Sequence, residues 1–225
     1  MPSCREMNQD ADTRAEVTRQ KILDSAARHF ARRSYTSVSV DEVIADTDVS
    51  RGALYFHFQS KHALALALME HHAAAVRALT MQLLARGGSG LETMIEITFM
   101  VATLDASDDY ARAAANLAGE TRRPGDRVAS LFDEWIKGSI TVLEQAIADG
   151  DVRADYDPET LAQVLVSHYV GVRQVSDLDA AASFLTNVER SWCTTLPGFT
   201  NPDRLDYLTQ FVTRRATAAI RSMVA

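Results

Sequence analysis

Ser39-Val-Asp-Glu-Val-Ile-Ala-Asp-Thr-Asp-Val-Ser-Arg-Gly-Ala-Leu-Tyr-Phe-His-Phe58 reads as two short helices joined by a tight turn. Val40, Val43 and Ile44 recur at helical spacing, with Ser39 in front as a cap and Asp41 and Glu42 in the first turn. Asp48 stands at the turn, where Asp tolerates left-handed dihedrals better than most residues, and Ser50 caps the next helix. That helix, Arg51 to Phe56, opens with Gly52 and Ala53, small enough to let a backbone approach closely, while Leu54 turns back to the core. Arg51 and Tyr55 are left facing outward. Two helices around such a turn place the second in a DNA major groove, so Ser39, Ser50, Arg51, Gly52, Ala53, Tyr55, His57 and, just beyond, Lys61 are the expected DNA contacts.

The string Val49-Ser-Arg-Gly-Ala-Leu-Tyr-Phe-His-Phe-Gln-Ser-Lys61 closely resembles the recognition-helix signature of the TetR family of bacterial transcriptional regulators. The resemblance runs over roughly residues 16 to 76 and includes Ile22-Leu-Asp-Ser-Ala-Ala-Arg-His-Phe-Ala-Arg-Arg-Ser-Tyr35. It implies an N-terminal three-helix DNA-binding domain, here 14–76, and a helical-bundle body for ligand binding and dimerisation, here 77–225, behind a disordered tail at 1–13. It also implies a homodimer on a palindromic double-stranded DNA operator, released by a small-molecule inducer. Ser34 and Asp48 depart from the family pattern, standing where many members carry Gly; each would cost up to about 1 kcal/mol if it took positive φ.

A chain of 225 residues that is 47% hydrophobic can bury a sizeable core in one or two domains. No apolar run approaches the roughly 20 residues that span a bilayer, and the N-terminus is polar, so a cytoplasmic protein without a membrane partner is expected. Cys4 and Cys193 support neither a disulfide framework nor a zinc site. The net charge of −7 sits poorly with DNA binding until it is divided along the chain. Residues 14–76 carry eight Lys/Arg and seven Asp/Glu, a net +1, while residues 77–225 carry fourteen and twenty, a net −6. Arg14, Arg19, Lys21, Arg51 and Lys61 are expected on one surface, with Asp41, Glu42 and Asp46 on the other side of the first motif helix.

The rest of the chain predicts an all-α architecture of nine or ten helices. After Ser60, a cap, His62 to Arg86 holds no Pro or Gly and aligns Leu64, Leu68, Leu79 and Leu83. Gly87-Gly-Ser-Gly90 ends this connector, and Leu91 to Leu104 and Asp109 to Glu120 follow. Asp126 opens a helix ending near Gly150, Asp157-Pro158 and Asn201-Pro202 start two more, and Ala180 to Trp192 runs between them. The last two long helices are the expected dimer interface.

Other constellations read as structural. Glu70-His71-His72 with His62 could offer metal ligands, but adjacent His residues do not share a helical face. Ser167-His168 could suggest a nucleophile and base, but neighbours on a helix point apart and no glycine-rich elbow accompanies them. Arg122 and Arg123 read as a solvated loop rather than a phosphate site. No catalytic residue, metal or cofactor is expected; a helical-bundle enzyme is the rival class, and it lacks a convergent acid and base.

Polar groups on apolar helices of the body need partners, since burying one without any costs about 1–3 kcal/mol. Tyr110, Trp135, Tyr169, Gln174 and Thr186 are such groups, and they are the expected lining of a ligand pocket. The body also resembles the γ-butyrolactone receptors of antibiotic-producing actinomycetes, a subgroup that includes sensors of methylenomycin-type furans. That likeness rests on Leu91 to Met100, Phe132-Asp-Glu-Trp135 and Leu165-Val-Ser-His-Tyr-Val-Gly171. It implies a γ-butyrolactone or furan signal and a pocket role for Trp135; another hydrophobic molecule is the alternative.

Overall fold

The computed structural model describes residues 4–120 and 127–224, and its named elements are all helices. They are α1 (Cys4–Phe30), α2 (Val40–Ala45), α3 (Arg51–His57), α4 (Lys61–Leu84), α5 (Gly90–Ser107), α6 (Asp109–Glu120), α7 (Arg127–Ala148), α8 (Pro158–Val175), α9 (Ala181–Phe199) and α10 (Pro202–Val224). The all-α expectation holds. None of the described helices is long and apolar enough to cross a membrane. Arg122, Arg123 and Asp126 lie outside the described residues.

Residues 4–13, expected as a disordered tail, belong to α1. The stretch Cys4 to Thr13 contains neither Gly nor Pro, and extending an existing helix fixes few dihedrals per bond gained. α9 runs to Phe199 through Pro197, beyond the expected end at Trp192, with Leu196 and Phe199 buried in its last turn.

The chain divides into two units, and the division departs from the expected boundary at residues 76 and 77. One unit holds α1 to α3, α4 as far as Ala73, α6 and the start of α7 as far as Ala129; the other holds α4 from Ala74, α5, α7 from Ser130 and α8 to α10. α6 therefore joins the motif helices although its chain neighbours lie in the body. Its buried face of Ala111, Ala114, Leu117 and Ala118 is small enough to pack closely on α1. Polar ties reinforce that packing. Asn116 Nδ2 donates to the carbonyls of Phe30 (3.1 Å) and Ala31 (3.2 Å), helix-end acceptors that α1 leaves open. Glu120 Oε2 accepts from Tyr35 N at 2.6 Å, and Arg32 pairs with Asp109 at 3.1 Å.

Within this first unit Ile22, Leu23 and Phe30 of α1 share the buried set with Val43, Leu54, Phe58, Leu64 and Leu68. Ser25 Oγ donates to the Val43 carbonyl at 2.8 Å, tying α1 to α2. The turn after α2 needs no left-handed residue. Thr47 Oγ1 donates to Ile44 O (2.9 Å) and accepts from Val49 N (3.2 Å), and no described non-glycine residue has positive φ. The strain expected at Ser34 and Asp48 is thus avoided.

In the second unit α9 packs on α5, α8 and α10 around Leu91, Ile95, Phe99, Phe184, Leu185, Val188, Leu196, Leu208 and Val212. α5 enters under a capping box made by Ser89 and Glu92. Gly90 sits there against α7: a Cβ on it would lie 2.2 Å from Ala146 N and 2.6 Å from Val142 O. Gly138, in the same unit, would meet nothing within 4 Å. Gly90→Ala therefore forces backbone apart and lowers stability by about 1–3 kcal/mol. Gly138→Ala removes backbone freedom from the unfolded chain and raises stability by up to about 1 kcal/mol. Thermal melting of both variants checks the opposite signs.

Candidate nucleic-acid interface and body cavity

The motif helices are set by side chains that also bear charge. Ser39 Oγ accepts from Glu42 N (3.1 Å), and Glu42 Oε2 accepts from Ser39 N (2.7 Å). Arg33 donates to the other Glu42 oxygen at 2.7 Å. That bond, with those from Ser39, lowers the Glu42 carboxyl from its usual 4.5 to about 2. A lowered carboxyl stabilises the fold above its unfolded value, so this contribution is present above 4.5 and lost as pH falls toward 2. Ser50 Oγ accepts from Ala53 N at 3.2 Å and starts α3. Both serine oxygens serve as caps, and each hydroxyl retains a proton to donate.

Leu54 of α3 and Phe58, the residue that caps its C-terminus, are buried four residues apart, which leaves Arg51, Gly52, Tyr55 and Phe56 outward. Phe56 is 80% exposed, the most open of these rings, and was not among the expected contacts. The spacing of Leu54 and Phe58 held that signal. His57 is half-buried, edge-on to Phe56 at 5.2 Å and tilted against Phe58 at 6.4 Å. Ala53 is half-buried beside the cap. Lys61 Nζ lies 4.3 Å from the centre of the Tyr35 ring, and burial there lowers its pKa.

The acids do not keep to the far side of α2. Asp41 Oδ1 stands 3.2 Å from Arg51 Nη1, Asp46 Oδ2 2.9 Å from His29 Nε2, and Asp48 Oδ2 3.7 Å from Lys21 Nζ. Arg19 pairs with Glu16 and stacks over Phe58. The separation of charges expected from sequence is corrected, because short Asp side chains at the helix starts and turn reach the cations beside them.

In the body the central group is Asp105, 2% exposed on α5. Its Oδ2 accepts from Tyr169 Oη at 2.6 Å and from Arg173 Nε at 3.0 Å, both on α8, and Arg173 is itself 9% exposed. Burial, and then the Asp105 charge, push the Tyr169 phenol well above its usual pKa, so it stays a donor. Trp135 of α7 meets the Tyr169 ring edge-on at 5.7 Å. Beside Tyr169 a crevice of about 20 Å³ is lined by Thr98, Leu165, His168, Val172, Ser191 and Trp192, among others. His168 Nε2 lies 3.1 Å from Ser191 Oγ rather than against its neighbour Ser167.

Of the five expected lining residues, the structure brings only Trp135 and Tyr169 together. Tyr110 is corrected: it lies in the motif unit, where its hydroxyl donates to Asp24 (2.6 Å), accepts from Gln20 (2.8 Å), and its ring is tilted against His71 at 4.8 Å. Thr186 spends its hydroxyl on Ala182 O of its own helix at 2.8 Å, and Gln174 is exposed. Asp105, Arg173, His168 and Ser191 were missed, although an Asp inside the apolar run Met94 to Ala106 was a visible sign. Among the described residues no cluster could hold a metal ion.

Residues 22–68 match the model of bacterial regulatory proteins of the tetR family, and residues 88–196 that of the tetracyclin repressor-like C-terminal domain. The A-factor receptor protein of Streptomyces griseus is 29% identical over 190 residues, which cover 84% of this chain and 66% of that protein. The fold is similar to a γ-butyrolactone receptor described as ArpA-like, with a TM-score of 0.78 and 32% identity over 91% of this chain and 99% of that one. It is also similar to CprB from Streptomyces coelicolor, solved in complex with its operator, with a TM-score of 0.77 and 31% identity over 91% and 99% of the two chains.

Asp105→Asn takes the carboxylate from a buried guanidinium and is expected to cost about 3–5 kcal/mol. Tyr169→Phe removes one hydrogen bond to a charged acceptor, about 1.5–3 kcal/mol. Urea unfolding of both variants checks the order, and equal small losses would contradict it.

Proposed function

Because the chain belongs to the tetR family of bacterial regulatory proteins, we propose that it is a homodimeric repressor of a palindromic DNA operator, released by a small signal of γ-butyrolactone or furan type. The observation that carries this reading is the likeness to γ-butyrolactone receptors across 91% of the chain, reader and body alike. A cytoplasmic location and control of antibiotic production go with it. In this reading α3 enters the major groove, Arg51 and Tyr55 meet the DNA, and Lys61 approaches a phosphate. Each reader is too small to bind tightly alone, so dimerisation precedes recognition.

The body crevice of about 20 Å³ has room for about one water. A signal molecule therefore binds only a geometry in which the side chains beside Trp135 and Tyr169 have parted, and that requirement gives it different affinities for two states of the protein. A tenfold difference supplies about 1.4 kcal/mol of bias between the operator-bound and released forms. α4, which runs unbroken from reader to body, is the path for that bias.

Arg51→Ala and Tyr55→Phe should weaken operator binding in gel shifts while leaving helix content and dimerisation unchanged. Trp135→Ala should bind operator normally yet fail to release it with a 2-acyl-γ-butyrolactone or a 2-alkylfuran-3-carboxylate. Wild-type operator binding by both α3 variants would remove the helix from the interface. Full release of Trp135→Ala by either probe would place the signal elsewhere.

A further inference from the structure

Arg51 is the one Lys or Arg of α3, and it faces an acid from the preceding helix. Its Nη1 lies 3.2 Å from Asp41 Oδ1, with both side chains 62% exposed, and its guanidinium lies 6.0 Å from the Tyr55 ring. Glu42, next in sequence, is engaged by Arg33 and by the Ser39 cap, so Asp41 is the α2 acid turned to the reader. An open ion pair of this kind contributes little to folding. Its consequence lies in what Arg51 can reach.

Guanine offers an arginine two acceptors, O6 and N7, on one base edge, whereas a phosphate attracts any cation wherever it stands. A carboxylate beside the arginine repels phosphate oxygens but tolerates a base edge and can accept from the amino group of cytosine. The rest of the reading unit has little cationic surplus to hide such an effect. Lys21 pairs with Asp48, His29 with Asp46, Arg33 with Glu42 and Arg32 with Asp109. We infer that Asp41 is a specificity-determining positioning residue: it holds Arg51 at the base-reading front and sets a penalty on phosphate contact, so that tight binding requires a matching base. The inference rests on α3 being the helix that meets DNA.

The test starts with duplexes enriched from a randomised library by the full-length wild-type protein. The enriched duplex and a scrambled duplex of the same composition are then titrated by fluorescence anisotropy against wild type, Asp41→Asn, Asp48→Asn, Arg51→Ala and Arg51→Ala with Asp41→Asn. Melting curves accompany each variant. Asp41→Asn should tighten the scrambled duplex about fivefold to tenfold, with a steeper salt dependence, and the enriched one by less, lowering the specificity ratio at least about threefold. Asp48→Asn changes the charge equally but touches Lys21, so it should leave the ratio within about twofold. In the Arg51→Ala background Asp41→Asn should not move the ratio.

An equal gain on both duplexes overturns the role of Asp41, as does the same loss of ratio from Asp48→Asn or without Arg51. Failure of the wild-type protein to enrich any sequence overturns the reading of α3, and the role of Asp41 with it.

Discussion

A carboxylate taken out of water must be given a cation or donors, or the fold that buries it loses several kcal/mol. Asp105 is buried on α5, and α8 answers with Tyr169 and Arg173, four residues apart and so on one helical face. That pairing fixes the register of α8 against α5 more narrowly than apolar contacts could, because a slip of one residue would leave two charges buried apart. Tyr169 in turn presents its ring to Trp135 of α7. One buried charge thereby ties α5 to α8 and, through the Tyr169 ring, to α7, beside a crevice lined from α5, α8 and α9.

The reading unit uses charge differently. Most of its ion pairs are exposed, so they add little to stability, and the helices are held by Leu54, Phe58, Val43 and the α1 core with Ser25 as a polar pin. The surface pairs keep the unit near neutrality, which weakens indiscriminate attraction to phosphate. α6 belongs to this unit by its alanine face and by Asn116, Glu120 and Asp109, although α5 before it and α7 after it are body helices. The chain thus crosses between reader and body along α4, again between α5 and α6, and once more within the first turn of α7.

The motif was legible because its determinants are local. Ser39, Ser50 and Ser60 cap the helices they were expected to cap, and Leu54 turns inward as its spacing requires. What escaped was non-local. Sequence order placed α6 in the body, and with it Tyr110, whereas packing on α1 gave both to the reader. Thr186 and Gln174 were chosen for polarity, but a threonine can satisfy its hydroxyl on its own helix and a glutamine near a helix end can reach water. Asp105 and Arg173 could be matched only once the fold brought α5 and α8 within side-chain reach of each other. The need for Gly at position 90 likewise follows from α7 pressing on it, which no local pattern reports.

Hydroxyl-radical footprinting on an enriched operator, with and without a 2-acyl-γ-butyrolactone or a 2-alkylfuran-3-carboxylate, tests the central claim most directly. The account predicts two symmetry-related protected half-sites, their centres separated by about one helical turn of DNA or a multiple of it, both lost together when the signal is added. A single protected half-site, or protection that neither probe disturbs, would contradict it.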